Sequence, residues 1–193
     1  MRTSVLVLAV AALLLSATPA RAEATLKLTS GTVQLGGAVG FTTLVDSAQG
    51  QTNTGFIFTL SPSAGYFVAD NLELVAAIDL SIPFGDYYSN SFNFYFYPKR
   101  FAGELGARYH FALVSQVTGY AGLQVGFGYT WYENSMVRNS GDFTLTVPAG
   151  ALVALNEHVA LDVGLRLILS HNFEVDGWRF TVPLGYLGVQ AFF

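Results

Sequence analysis

Between Val159 and Leu169 the chain alternates without a break. Val159, Leu161, Val163, Leu165, Leu167 and Leu169 share one face of an extended strand, while Ala160, Asp162, Gly164, Arg166 and Ile168 share the other. Side chains of a strand point to opposite faces in turn, so this period selects β-structure over an amphipathic helix. The partition constrains the fold further, because one face is large and aliphatic while the other carries charges and glycine. Phe101–Phe111 repeats the design, with Phe101, Leu105, Ala107, Tyr109 and Phe111 against Glu104, Gly106, Arg108 and His110. So does Leu72–Ile82, with Leu72, Leu74, Ala76, Ile78 and Leu80 against Glu73, Ala77, Asp79 and Ser81. A one-residue slip in any of them would exchange the two faces.

Composition decides which face points outward. Only 11% of the residues are charged and 52% are hydrophobic, whereas soluble domains carry about 25% charged residues. A soluble barrel of lipocalin type would need charges to cover its outer surface, and there are too few. Glycines Gly36, Gly40, Gly122, Gly126, Gly128, Gly150 and Gly164 fall on the charged face, as a crowded interior requires. The apolar face therefore meets hydrocarbon. No stretch after the first residues is apolar for the roughly 20 residues that a membrane helix needs, so strands must do the crossing. An unpaired backbone group costs several kcal/mol in hydrocarbon, which forces the sheet to close.

The whole chain reads as an all-β, eight-stranded antiparallel up-and-down transmembrane barrel. Its strands are expected at Thr32–Asp46, Gly55–Val68, Leu72–Ile82, Phe101–Phe111, Val117–Tyr132, Phe143–Leu155, Val159–Leu169 and Trp178–Phe193. Each reaches the roughly 9–11 residues of a tilted membrane strand. Short connections (Ala69–Asn71, Ala112–Gln116, Asn156–His158) alternate with longer ones (Ser47–Thr54, Pro83–Arg100, Glu133–Asp142, His171–Gly177), which separates a periplasmic from an outer end. Tyr129, Trp131, Phe143 and Trp178 near the outer ends, and Tyr66, Tyr109, Phe111 and Phe193 near the inner ends, suit two interfacial girdles.

The termini add an address. Met1 to Ala22 has Arg2, an apolar run from Val5 to Leu15 and an A-x-A site at Ala20-Arg21-Ala22, the parts of a secretory signal peptide. Cleavage there leaves residues 23–193 as one barrel domain exported through the periplasm to the bacterial outer membrane. Loss of Arg2 and Arg21 leaves seven basic residues against 13 acidic ones, a balance that argues against nucleic acid as a partner. Cysteine is absent, so no disulfide framework supports the exported chain.

Leu60-Ser61-Pro62-Ser63-Ala64-Gly65-Tyr66-Phe67-Val68-Ala69-Asp70-Asn71-Leu72 closely resembles the P-x-x-G-Y-F-v-x-d-N-L turn of the bacterial outer-membrane β-barrel domain proteins, the small OmpA/OmpX/OmpW-like group. At the other end Tyr186, Gly188, Ala191 and Phe193 are similar to the signal read by the barrel-assembly machinery, Ala191 being smaller than the usual residue. The resemblance implies the fold, the location and a transient encounter with that machinery; it does not imply an activity, because members differ in what they do.

Within such a barrel, Glu73, Asp79, Glu104, Arg108, Asp162 and Arg166 face inward, where there is room only for side chains. They are expected to neutralise one another, with Arg108 and Arg166 bridging the carboxylates; the alternative is a narrow conduit for ions or small solutes. Lys99, Arg100, Arg138 and Arg179 stand at the outer rim, where cations suit lipopolysaccharide phosphates. The connection Pro83–Arg100 contains Phe84, Tyr87, Tyr88, Phe92, Phe94, Tyr95, Phe96 and Tyr97. It is either a surface-binding loop or an enlarged girdle, and Pro83 and Pro98 are expected where it leaves the ladder.

Lipid-modifying catalysis would need a nucleophile beside a base. Ser170-His171 is the only adjacent pair of that kind, and neighbours on a strand point apart. Three scattered histidines form no metal-ligand spacing, and no cofactor motif occurs. The sequence thus predicts a monomeric, non-enzymatic envelope protein with lipid and lipopolysaccharide around it, structural or surface-interacting in role.

Overall fold

The computed structural model describes residues 25–48, 51–85, 99–131, 138–174, 176–183 and 185–193. The strands run in chain order as β1 (Val33–Ala48), β2 (Gln51–Ala69), β3 (Leu72–Gly85), β4 (Lys99–Val114), β5 (Val117–Trp131), β6 (Ser140–Ala154), β7 (Val159–Asn172), β8 (Gly177–Thr181) and β9 (Tyr186–Phe192). Every neighbouring pair is antiparallel, each strand lying beside the one before it through β7. The ring closes where Gln34–Gly40 of β1 pairs with Tyr186–Phe192 of β9. No helix among the described residues is long and apolar enough to cross a membrane; the strands do so.

The eighth position holds two segments. The expected single strand Trp178–Phe193 is interrupted, and β8 and β9 both pair with β7. Ile168 lies opposite Thr181 and Gly164 opposite Tyr186, so four steps along β7 match five along its partner. Pro183, which lacks an N–H, and Gly185 at φ 128° occupy that extra length. The inserted residue shifts the parity: Trp178 and Phe180 point outward before it, Leu187 and Val189 after it. Without it, one of these two apolar sets would enter the lumen.

Exposure follows the alternation read from the sequence. Leu74, Ile78, Leu105, Leu123, Val163 and Leu165 are exposed on the outer face, while Glu73, Asp79, Glu104, Gln124 and Asp162 are buried inside. Exposure to solvent is here exposure to lipid, which inverts the usual rule for apolar side chains. Tyr66, Tyr109, Phe111 and Phe193 form an exposed aromatic group at the inner end, with Tyr129 and Trp178 at the outer end. Phe143 packs edge-on against Phe127 at 5.5 Å.

Two connections are shorter than the sequence suggests. Ser47–Thr54 is no long loop, because β1 and β2 stay paired to Ala48 and Gln51. Pro83 does not leave the ladder altogether: β3 remains beside β2 through Gly85, while its pairing with β4 ends at Ser81. Between β2 and β3, Asn71 takes a left-handed conformation, φ 65°, which asparagine tolerates better than most residues. Residues 1–24, with the expected signal peptide, lie outside the described residues. So do 86–98, with Tyr87, Tyr88, Phe92, Phe94, Tyr95, Phe96, Tyr97 and Pro98.

Candidate functional site

The lumen is where the chain concentrates its polar chemistry. Among the described residues, its side-chain bonds lie at three levels. Nearest the outer end, Arg100 on β4 reaches over Gly128 of β5 to Asp142 on β6, giving Nε–Oδ2 at 3.0 Å and a second contact at 2.7 Å. Arg100 is therefore no rim cation open to lipopolysaccharide. Its place in β4 is even-numbered, like Glu104 and Arg108, and turns it inward. Arg138 and Arg179 are exposed, and Lys99 is half-buried.

At the middle level Arg166 on β7 donates to Asp79 on β3 at 2.8 Å. These strands lie four places apart in the ring, so the pair spans the bore. Ser61 on β2 donates to the same carboxylate oxygen. Arg166 also lies over the Tyr186 ring, 5.2 Å from its centre.

Below it, Tyr120 on β5 donates to Asp162 on β7 at 2.6 Å and touches the Tyr186 hydroxyl of β9. Gln190 donates to Asp162 at 2.8 Å and accepts from Gln34 of β1. Gly150 and Gly164 make this crossing possible, since a Cβ at either would stand 2.5 Å from a tyrosine hydroxyl oxygen. Gly36, Gly122, Gly126 and Gly128 are equally hemmed in; Gly40 is not, because a Cβ there meets only ordinary contacts.

The expected charge pairing is only partly made of arginines. Arg108 stands 3.9 Å from Glu73, a long contact, and lies over the Tyr120 ring at 5.4 Å. Glu73 is held more closely by His110, at 3.0 Å. Glu104 accepts from Thr146 at 2.9 Å and Thr144 at 3.5 Å, and Asp162 has a tyrosine and an amide instead of a guanidinium. Sequence reasoning missed these hydroxyl and amide partners and Asp142; strand parity, which puts Tyr120, Gln124, Asp142, Thr144, Thr146 and Gln190 on the inner face, was the signal that could have found them.

The inner mouth is sealed by a hydrophobic cluster. Leu28, Phe67, Tyr120, Leu152, Ala160 and Phe192 pack together, with Leu26 and Tyr186 against them. Leu28 belongs to the segment before β1, which the sequence reading left unassigned. That segment lies across the mouth through Asn71 N to Leu28 O at 2.9 Å, Ser30 N to Asp70 Oδ1 at 3.0 Å and Gly31 N to Phe67 O at 2.8 Å.

At the outer end, Ser170 and His171 do not meet. The Ser170 hydroxyl turns toward Arg179 O at 3.5 Å, while the His171 ring packs 4.7 Å from Trp178 and bonds Asp176 at 3.1 Å. Among the described residues, no three His, Cys, Asp or Glu side chains gather as a metal site. At the closing seam, Phe193 and Val33 exchange two backbone hydrogen bonds of 2.9 Å, Gly188 is buried and Ala191 faces outward beside Phe193.

Comparison with curated protein sequences gives no match. Among solved structures, the chain is similar to Neisserial surface protein A (NspA), with a TM-score of 0.57 and 21% identity over 84% of this chain and 96% of that one. It is similarly close to the N-terminal β-barrel domain of Pseudomonas aeruginosa OprF, with a TM-score of 0.57 and 18% identity over 85% of this chain and 98% of that one. These likenesses establish a shared fold. Residues 7–186 match the family described as the outer membrane protein beta-barrel domain, and the chain belongs to that family of the bacterial outer membrane.

Proposed function

We propose that this barrel is a non-enzymatic, non-conducting wall element of the outer membrane whose outer end serves as an interaction surface. The Arg166–Asp79 pair carries the reading, because it joins opposite walls and leaves the bore filled by side chains. An eight-stranded barrel has space for little else. The sealed inner mouth supports the same conclusion. Export by the predicted signal peptide, transient recognition of Tyr186, Gly188, Ala191 and Phe193 by the assembly machinery, and a monomeric state complete the proposal.

Strand length supports the surface role. The 19 residues of β2 reach about 60 Å at a rise of ~3.3 Å per residue. At the usual tilt this is about 45–50 Å of height, against an apolar band of ~25 Å. The hairpins therefore project well beyond the lipid. In sequence, the connection after β3 is strongly aromatic, and Lys99, Arg138 and Arg179 supply cations for lipopolysaccharide phosphates.

Planar-bilayer recording on the refolded protein tests the closed bore. We expect no steady conductance; a reproducible open level would establish the small-solute conduit instead. Exchange of Tyr87, Tyr88, Tyr95 and Tyr97 for serine tests the surface role, through loss of adhesion to host-cell or matrix ligands. Unchanged lipid A structure in cells carrying Ser170→Ala is expected of a non-enzyme.

A further inference from the structure

Among the described residues, five carboxylates are buried in the lumen, those of Glu73, Asp79, Glu104, Asp142 and Asp162, against the guanidinium groups of Arg100, Arg108 and Arg166. The excess among these groups is two negative charges. Arg100 is taken by Asp142 and Arg166 by Asp79. Glu104, 3% exposed, makes no ion pair with a described basic side chain, and its Oε2 has no hydrogen-bond partner. An uncompensated buried charge is costly, and Glu104 and Asp162 are the two of these carboxylates without a cationic partner; Asp162 accepts on both oxygens, from Tyr120 and Gln190, whereas Glu104 keeps one oxygen unmatched.

The residues around it are oxygen donors. Glu104 is opposite Gly126 on β5, whose other neighbour is Thr144 on β6; Gln124 on β5 is opposite Thr146. Both threonine hydroxyls lie against Glu104 Oε1, so Gln124 and Glu104 flank the same Thr146. Gln124 is 1% exposed, and neither its amide oxygen nor its amide nitrogen has a partner. A fully buried amide with both ends unmatched is unusual, since nearly all buried polar side chains are satisfied. Gly106 and Gly126 let these side chains pack close together, as a Cβ at Gly106 would collide with Gln124 and one at Gly126 with Glu104 and Thr144.

We propose that Glu104, Gln124, Thr144 and Thr146 bind one monovalent alkali cation inside the barrel. One carboxylate, one amide oxygen and two hydroxyls form a hard-oxygen set. The single formal charge of the Glu104 carboxylate suits Na⁺ or K⁺ better than a divalent ion. The cation ties β4, β5 and β6 together at the level between the Arg100–Asp142 and Tyr120–Asp162 crossings.

The test uses the full mature chain refolded in zwitterionic detergent at two pH values, each held constant across the salts. Thermal unfolding is followed by tryptophan fluorescence in NaCl, KCl and N-methylglucamine chloride at equal ionic strength, with ²³Na line broadening read in parallel. We expect the midpoint to rise by several degrees in an alkali salt relative to N-methylglucamine, with ²³Na broadening that K⁺ competes away. Glu104→Gln should abolish both effects, and Gln124→Leu should weaken them at least tenfold in the cation concentration required. Equal midpoints in all three salts overturn the proposal, and so does an alkali shift retained in both variants. A midpoint that moves with pH but not with cation assigns the compensation to a proton and also overturns it. Should Glu104→Gln fail to refold, Thr146→Val and Gln124→Leu carry the same comparison.

Discussion

Truncating Asp79 to alanine isolates the bond that spans the bore. The substitution leaves Arg166, whose side chain is 10% exposed, without the carboxylate that it meets at 2.8 Å. Removing one partner of a buried ion pair costs about 3–5 kcal/mol, mostly because the other charge is stranded. Ser61 loses its acceptor too, which adds about 1 kcal/mol. Arg166→Leu should cost a similar amount for the converse reason, leaving Asp79 with Ser61 alone. The double variant removes both charges, and apolar replacement of a buried pair is often close to neutral. Its loss is therefore expected near 1–2 kcal/mol, with a coupling energy of at least about 3 kcal/mol. Urea unfolding in lipid vesicles, read by the fluorescence of Trp131 and Trp178 and by heat-modifiable gel mobility, measures all four corners of the cycle. Losses that simply add would show that the two side chains do not interact, and the crossed bore would fall with them.

Further outcomes follow from the same geometry. Gly150→Val forces a side chain into the Tyr120 hydroxyl, 2.5 Å from the first added carbon, and should destabilise the barrel by about 1–3 kcal/mol; Gly40→Ala should be tolerated, and equal losses in the two would refute the packing argument. Leu165 is half exposed on the lipid side of β7, so Leu165→Arg should cost about 2–4 kcal/mol in bilayers and far less in a loose detergent micelle. Phe67→Ala empties the centre of the inner seal, where Phe67 is wholly buried, at about 3–5 kcal/mol; a loss below 1 kcal/mol in urea titration would show that the mouth is not packed.

The barrel was legible because alternation is a local property. Val159–Leu169 states its two faces residue by residue, and composition alone decides which one meets lipid. Strand ends were less legible: Ser47 and Thr52 pair although no apolar alternation around them marks a strand. The extra residue between Thr181 and Tyr186 escaped notice because Trp178, Phe180, Leu187 and Val189 look like a broken period until β7 provides the register. In the lumen, parity placed the charges but not their partners. Which side chain Arg166 meets depends on strands four places apart, a relation that exists only once the ring has closed. Arg100 was misplaced because proximity to the outer end was weighed ahead of its even position in β4.

The segment that carries Leu28 ties the start of the domain to its end. Leu28 needs Phe67 of β2 and Phe192 of the last strand for its burial, and Asn71 and Asp70 of the first short turn for its anchorage. That surface is complete only once the final strand, with Phe192, has joined the first. Docking of this strap is thus a late event that reports completion of the ring. A probe placed at Leu26 or Lys27 would read closure directly, whereas one on an early hairpin would not. It also leaves Lys27, beside Glu157, at the same end of the barrel as Phe193, so partners fused at either end of the folded domain would emerge on one side of the membrane.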